Sequence, residues 1–367
     1  MLKQIAQDFF CQKFPGFRFY GTLTANAQHE RFARWLLGGL LRGDRTSLAE
    51  AITLIESSNP AKQLKAQKLL NLVLENENEK VAREGPKAFS FRIGISGPPG
   101  AGKSTFLEAI GMHLLGKGHK VGCLTVDPSS RITGGSLLGD KTRMPNLSKD
   151  HRAFIRPSPT CGILGGVTRT TSDSINLVEA AGFDVVFVET VGSGQNEYVV
   201  ADMTDIFVVI ISPGAGDELQ AMKRGIMELS HVVIVNKSDG DLIPAARRTQ
   251  GEYISALKFM TPENTHWKPK VIRVSSVTGE GIPECWDLFQ KFRETAISSD
   301  EFVKRRSAQS TMRMWRFIEE HLQSSFKSNS TVQAMRRGIE EAVSSGRITS
   351  SAGALLLIDA FREDPCR

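Results

Sequence analysis

Two short stretches of this chain carry side chains whose types and order suit a nucleoside triphosphate. The first, Gly97-Pro98-Pro99-Gly100-Ala101-Gly102-Lys103-Ser104 with Thr105 following, matches G-x-x-x-x-G-K-[ST]. Its glycines let backbone N–H groups close around phosphate oxygens, and the start of the following helix adds partial positive charge. Lys103 would then reach the β- and γ-phosphates, and the Ser104 hydroxyl would ligate Mg²⁺. The second stretch, Asn236-Lys237-Ser238-Asp239, follows the apolar run Val232 to Val235. There Asp239 would accept hydrogen bonds from the ring N–H and exocyclic amine of guanine, which adenine does not offer in that arrangement. A mismatched base would leave a buried carboxylate unpaired, a large penalty. Lys237 would lay its methylene stem over the base, and Asn236 would tie this loop to the phosphate loop. Ser275-Ser276-Val277, after another apolar run, can supply a backbone N–H to the guanine oxygen.

Between the two lie carboxylates placed to serve a metal ion or a water. Val185 to Val188 leads into Glu189-Thr190-Val191-Gly192, where Ras-like proteins carry D-x-x-G. Glu189 would sit near Mg²⁺ or the attacking water, and the Gly192 amide would sense the γ-phosphate. Asp127, at the tip of Val121 to Val126, occupies a second place where a carboxylate can serve the metal through water; as a residue before Pro128 it also suits a plain turn. Asp140 belongs to a Gly-rich loop, Gly134 to Lys141, able to fold over the nucleotide. Ser212 to Lys223, with Asp217, Gln220 and Lys223, has the Gly and Pro content of a further nucleotide-responsive loop.

Such loops need rigid elements to aim them. From Phe89 onward the chain alternates helical segments with short β-branched runs: Phe91 to Ser96, Val121 to Val126, Val185 to Val188, Ile206 to Ile211, Val232 to Val235 and Val271 to Val274. Runs apolar at nearly every position suit strands covered on both faces, so the expected fold is α/β, a doubly wound, mostly parallel sheet of the P-loop NTPase kind. Its ligand lies at the carboxyl ends of the strands. Upstream, Ala27 to Glu84 reads as helices. Ser47-Leu48-Ala49-Glu50 looks like a capping box ahead of Leu48, Ile52 and Ile55, Asn59-Pro60 breaks that helix, and a second carries Ala66, Leu69, Leu70 and Val73 before fading at Glu75 to Lys80. Gly85-Pro86 marks a boundary. After Ser298 the chain is helical again, with Trp315, Ile318 and Leu322 on one stripe and a later apolar segment from Ala352 to Phe361. The expected segments are therefore 1–20, a transit-like leader; 21–85, a helical segment; 86–298, the nucleotide domain; and 299–367, a helical arm.

Composition narrows the class. With 40% apolar and 23% charged residues in 367, the chain has the balance of an ordinary soluble globular protein, and no apolar run approaches the ~20 residues a bilayer span requires, so no membrane partner is expected. The net charge of +6 is spread without a dense basic block, which argues against nucleic acid. Cys11, Cys123, Cys161, Cys285 and Cys366 are scattered and never paired as C-x-x-C, pointing to a reducing compartment and no structural zinc. The leader holds Lys3, Lys13 and Arg18 with Asp8 its only acid, and Arg18-Phe19-Tyr20 before Gly21 looks like a matrix-processing site. A mitochondrial matrix location follows, with a cytoplasmic protein bearing a frayed N-terminus as the alternative.

The cradle, Glu189-Thr190-Val191-Gly192, Val126 to Ser130, Ser136 to Asp140 and Pro213 to Asp217 together resemble the methylmalonyl-CoA mutase-associated GTPases, the bacterial MeaB and mitochondrial methylmalonic aciduria type A family. The match covers roughly Ser90 to Val277. The resemblance implies a GTPase chaperone that docks on adenosylcobalamin-dependent methylmalonyl-CoA mutase, gates cofactor loading and helps exchange damaged cofactor, the cobalamin belonging to the partner. It implies a homodimer formed through the C-terminal arm. Lys103, Ser104, Asp127, Asp140 and Glu189 look like its phosphate, metal and catalytic positions, and Lys223 like the charged end of the loop coupling partner to nucleotide. Three rivals remain distinguishable. A metal-delivery maturation GTPase would need clustered Cys or His, an ATP-dependent kinase is opposed by Asn236 to Asp239, and a non-hydrolysing scaffold is opposed by the carboxylate set.

Overall fold

The computed structural model describes residues 23–57, 59–126, 144–158, 164–190, 196–214, 224–259 and 266–363. The described chain divides into two compact units, one formed by the part before Phe89 together with Asp173–Phe183, the other by the remainder.

The larger unit is built on seven strands: β1 (Phe91–Ser96), β2 (Val121–Val126), β3 (Ala153–Ser158), β4 (Val185–Thr190), β5 (Ile206–Ile211), β6 (Val232–Val235) and β7 (Lys270–Arg273). Their order is β3-β2-β4-β1-β5-β6-β7. Every pairing is parallel, so all carboxyl ends open on one edge. Strands β1, β2, β4, β5 and β6 are buried at each position, which explains their unbroken β-branched runs: both faces are covered. Strand β3 is a finding that periodicity did not foresee. Pro157 argues against a strand, yet β3 lies at the sheet's edge with Pro157 opposite Thr125, where a missing N–H is tolerated. Strand β4 runs two residues past Val188, bringing Glu189 into register with Ile95 of β1.

The helical unit holds α1 (Leu23–Leu41), α2 (Arg45–Glu56) and α3 (Pro60–Glu84). Leu48, Ile52 and Ile55 are buried on one face, as the spacing requires. The cap is not where the capping box placed it. Asp44 is the N-cap, its side chain accepting from Thr46 N and Ser47 N, and the Ser47 hydroxyl donates to it as well. With Asp44 as N-cap the helix starts at Arg45, three residues ahead of where a Ser47 cap would start it, and Asp44 takes the first orphan donors. Asn59 caps α3, which continues through the polar stretch to Glu84.

The remaining helices belong at least in part to the larger unit: α4 (Lys103–Gly116), α5 (Leu164–Ala180, whose second half groups with the helical unit), α6 (Asn196–Ala201), α7 (Arg224–Leu229), α8 (Ile243–Leu257), α9 (Ile282–Ser298), α10 (Glu301–Ser328), α11 (Ser330–Ser344) and α12 (Ser350–Glu363). The last three make up a helical C-terminal arm. Its stripe faces solvent, with Trp315 57% and Leu322 55% exposed. The root of the arm is fixed differently, by charge. Arg306 on α10 grips buried Asp205, Nε to Oδ1 and Nη2 to Oδ2 each at 2.7 Å, while the Arg92 amide donates to Oδ2. Burial alone would raise the Asp205 pKa, but the Arg306 charge and hydrogen bonds outweigh it and hold the carboxyl below its usual range.

Truncating Arg306 strands that carboxylate, so Arg306→Met should destabilise the fold by about 3–5 kcal/mol in urea unfolding at neutral pH. Because the folded pKa is lowered, the stabilisation is present above the unfolded value of about 3.9 and fades on further acidification. The gap between parent and variant should therefore shrink in acid; a gap independent of pH would contradict the assignment.

Candidate nucleotide-binding site

The phosphate loop is a turn only glycine can make. Between β1 and α4, Gly97, Gly100 and Gly102 take φ of 147°, 84° and 87°, and a Cβ on Gly97 would lie 2.0 Å from the Ile210 carbonyl oxygen. Helix α4 starts at Lys103, and no side chain caps its first N–H groups. Those donors face the sheet's carboxyl edge, where an anion can take them. Lys103 is buried, its Nζ donating to the carbonyls of Gly97 at 2.7 Å and Pro98 at 3.2 Å. The ammonium is thus held inside the loop it serves, with Ala101 buried behind it and Thr105 exposed on the helix.

On the metal side, the Ser104 hydroxyl donates to Glu189 Oε1 at 3.3 Å, and Glu189 is itself buried at the end of β4. A hydroxyl and a carboxylate side by side are hard oxygen donors of the kind Mg²⁺ takes. Cys123, on neighbouring β2, is no competitor: burial, and then the Glu189 and Glu108 charges, push its thiol pKa far up. Beside the pair, Thr190 Oγ1 and Ser96 Oγ are 3.2 Å apart, linking the ends of β4 and β1. Nothing in the residue pattern points to this contact, since Ser96 is merely the last residue before a motif and Thr190 an unspecified letter within one. Asp127, Asp140, Gly192, Asp217, Gln220 and Lys223 lie outside the described residues.

The base side is assembled by one side chain. Asn236, fully enclosed at the end of β6, donates through Nδ2 to the carbonyls of Ala101 at 3.0 Å and Gly102 at 3.3 Å. Its Oδ1 accepts from Ser276 N at 3.2 Å and Ser276 Oγ at 2.7 Å. Lys237 adopts φ 55°, a strained conformation for a side-chain-bearing residue, and its Nζ reaches the Gly100 carbonyl at 2.7 Å. Its stem therefore crosses from the base loop to the phosphate loop. The Ser275 hydroxyl donates to Asp239 Oδ2, aligning the carboxylate, and Val277 stands 80% exposed beside it. The phosphate loop, Asn236 to Asp239, and Ser275 and Ser276 thus form one hydrogen-bonded constellation.

Comparison with known proteins gives this constellation its lineage. The sequence profile of the family described as methylmalonyl-CoA mutase-associated GTPase MeaB matches residues 48–331. The chain belongs to this family. A mouse protein named methylmalonic aciduria type A homolog, mitochondrial, is 49% identical over 335 residues, covering 91% of this chain and 81% of the mouse protein. A probable GTPase of Mycobacterium tuberculosis is 43% identical over 317 residues, covering 86% and 91%. Among solved structures, one described as a LAO/AO transport system kinase superposes with a TM-score of 0.69 at 30% identity, covering 94% of this chain and 99% of that one. This MeaB-family chain has the P-loop NTPase fold, binds guanine nucleotide and hydrolyses GTP.

Removing the Asn236 carboxamide should loosen both loops at once. Asn236→Ala leaves the Ala101 carbonyl and the half-buried Ser276 without this partner, each group worth about 1–3 kcal/mol when unsatisfied, so guanine-nucleotide affinity should fall at least tenfold. Titration with a fluorescent GDP analogue reads this, with circular dichroism to show that the sheet persists; unchanged affinity would contradict the bridging role.

Proposed function

We propose that this GTPase is the chaperone of adenosylcobalamin-dependent methylmalonyl-CoA mutase, gating loading of intact cofactor and protecting or reactivating the mutase. The observation that carries the reading is membership of a family described by its association with that mutase, joined in this chain to a complete phosphate cradle and guanine loop. The name of the mouse relative points the same way and supports a mitochondrial matrix location. No helix among the described residues is long and apolar enough to cross a membrane.

The roles of the residues follow from their positions. Gly97 to Thr105 wrap the phosphates with backbone N–H groups, and Asp239, aligned by Ser275, reads the guanine edge. Lys103 leaves its carbonyl partners to neutralise charge developing on the transferred phosphoryl group. Ser104 and Glu189, with Asp127, would hold Mg²⁺, which supplies further charge neutralisation at the β- and γ-oxygens. Glu189 or Asp140 orients the water that attacks the γ-phosphorus, giving GDP and phosphate. Asp217, Gln220 and Lys223 carry the partner's influence to the nucleotide. The free protein is slow, because partner contact completes the charge-stabilising set. Two copies pair through the arm, where Trp315, Leu322, Leu355 and Leu356 leave an apolar surface in water.

Size-exclusion chromatography of the chain with cobalamin-loaded mutase, in apo, GDP and GTP-analogue states, tests the proposal. A complex whose yield depends on nucleotide is expected, with the free chain eluting as a dimer. Absence of a complex in all three states would sink the chaperone reading and leave the GTPase intact. In the same preparation Lys103→Ala should lower turnover by at least about 10²-fold.

A further inference from the structure

Strands β1 and β4 deliver two halves of the hydrolytic site. β1 runs into Gly97, whose carbonyl holds Lys103 Nζ at 2.7 Å, and β4 brings Glu189 Oε1 within 3.3 Å of the Ser104 hydroxyl. Backbone pairing between these strands ends at Ile95 opposite Glu189. One residue further on, each chain pairs with its other neighbour, Ser96 with Val209 of β5 and Thr190 with Val126 of β2. A side-chain hydrogen bond joins the two ends there: Thr190 Oγ1 donates to Ser96 Oγ at 3.2 Å, with the Ile95 carbonyl oxygen farther off at 3.5 Å.

Packing alone does not ask for hydroxyls at these positions. Thr190 is 1% and Ser96 2% exposed, on strands buried at every position, where apolar side chains of the same size would fill the space without burying polar groups. Because successive side chains of a strand point to opposite faces, the pair stands on the face away from Glu189. Glu189 shares its face with Ile95, which belongs to one buried cluster with Phe106 and Leu107 of α4, the helix that carries Ser104. The carboxylate thus sits at the last backbone-paired register of β1 and β4, and the hydroxyl pair behind it closes the strand ends one residue later. Enclosed on all sides, that pair has no room to swing away.

We propose that Thr190 and Ser96 are positioning residues for GTP hydrolysis: their hydrogen bond fixes the end of β4 against the end of β1, and so fixes the reach of the Glu189 carboxylate from Ser104 and the phosphate loop. Each is the chain neighbour of a residue it positions, Thr190 of Glu189 and Ser96 of Gly97. The inference rests on the reading that Glu189 serves the metal ion or the attacking water.

A mutant cycle on the full chain, read by single-turnover cleavage of GTP, GDP affinity and urea unfolding, tests it. Thr190→Val keeps the shape and removes the hydroxyl. It should slow cleavage about tenfold, a part of what a misplacement of one ångström can cost. GDP affinity should change little, because the guanine and phosphate loops keep their own bonds. Ser96→Ala should give the same loss, and it keeps the test alive if Thr190→Val fails to fold. Thr190→Ser, which retains the hydroxyl, should cleave near the parent rate. The double variant separates positioning from stability. Each single variant strands one buried hydroxyl, whereas the double strands none, so the double should regain stability in urea and yet cleave as slowly as either single variant. A rate that recovers along with stability overturns the proposal. So does a parent-like rate in folded Thr190→Val or Ser96→Ala, or a Thr190→Ser as slow as Thr190→Val. If Glu189→Gln also cleaves at the parent rate, the underlying site reading has failed, whereas a slow Glu189→Gln beside a fast Thr190→Val rejects only the positioning role.

Discussion

The carboxamide of Asn236 is the constraint on which the nucleotide site depends. One buried side chain spends its donors on two carbonyls of the phosphate loop and its acceptor on the amide and hydroxyl of Ser276. Each bond is worth only about 1 kcal/mol net, but leaving any of these buried groups unpaired costs more. The three loops therefore hold together or loosen together. Asn236 also crowds the loop it binds, its Nδ2 lying 2.6 Å from where a Cβ on Gly102 would be. That explains a glycine at the N-cap of α4 on two grounds, the left-handed backbone and the close approach of the asparagine. Lys237 adds a second strap to Gly100, held in a conformation that is affordable only because the surroundings fix it.

A parallel sheet makes this constellation possible. Strands β1, β4 and β6 end on the same edge, so the phosphate cradle, the Glu189 carboxylate and the guanine loop arrive there without further arrangement. Behind the edge, Asp205 takes the backbone of β1 and the guanidinium of Arg306 together, fixing the root of the C-terminal arm to the strand that leads into the cradle. The arm and the phosphate loop thus share one scaffold.

Much of this was legible in the sequence because each motif carries its own geometry. Phe91 to Ser96 followed by a glycine-rich turn and Lys103 can hardly be anything but strand, cradle and helix, and the ends of β1, β2, β5 and β6 fell where the β-branched runs stop. What was not legible depends on partners distant in sequence. No β-branched run marks Ala153–Ser158, which pairs with β2 at an edge where Pro157 does no harm. Ser47 reads as a cap, but Asp44 starts the helix about one turn earlier and takes the amides of Thr46 and Ser47. The spacing of Trp315, Ile318 and Leu322 marks an apolar helical stripe but not what covers it, and Trp315 lies 57% exposed.

The central claim is that Asp239, aligned by Ser275 in the loop that Asn236 ties to the phosphate loop, selects guanine. An exchange of base and side chain tests it most directly. In xanthine a carbonyl replaces the exocyclic amine of guanine, so Asp239→Asn, which offers an N–H where the carboxylate offered only lone pairs, should prefer xanthosine triphosphate. The account predicts that kcat/KM for GTP falls by a factor on the order of 10⁴ while xanthosine triphosphate becomes the better substrate. A folded Asp239→Asn protein that still favours GTP would contradict it.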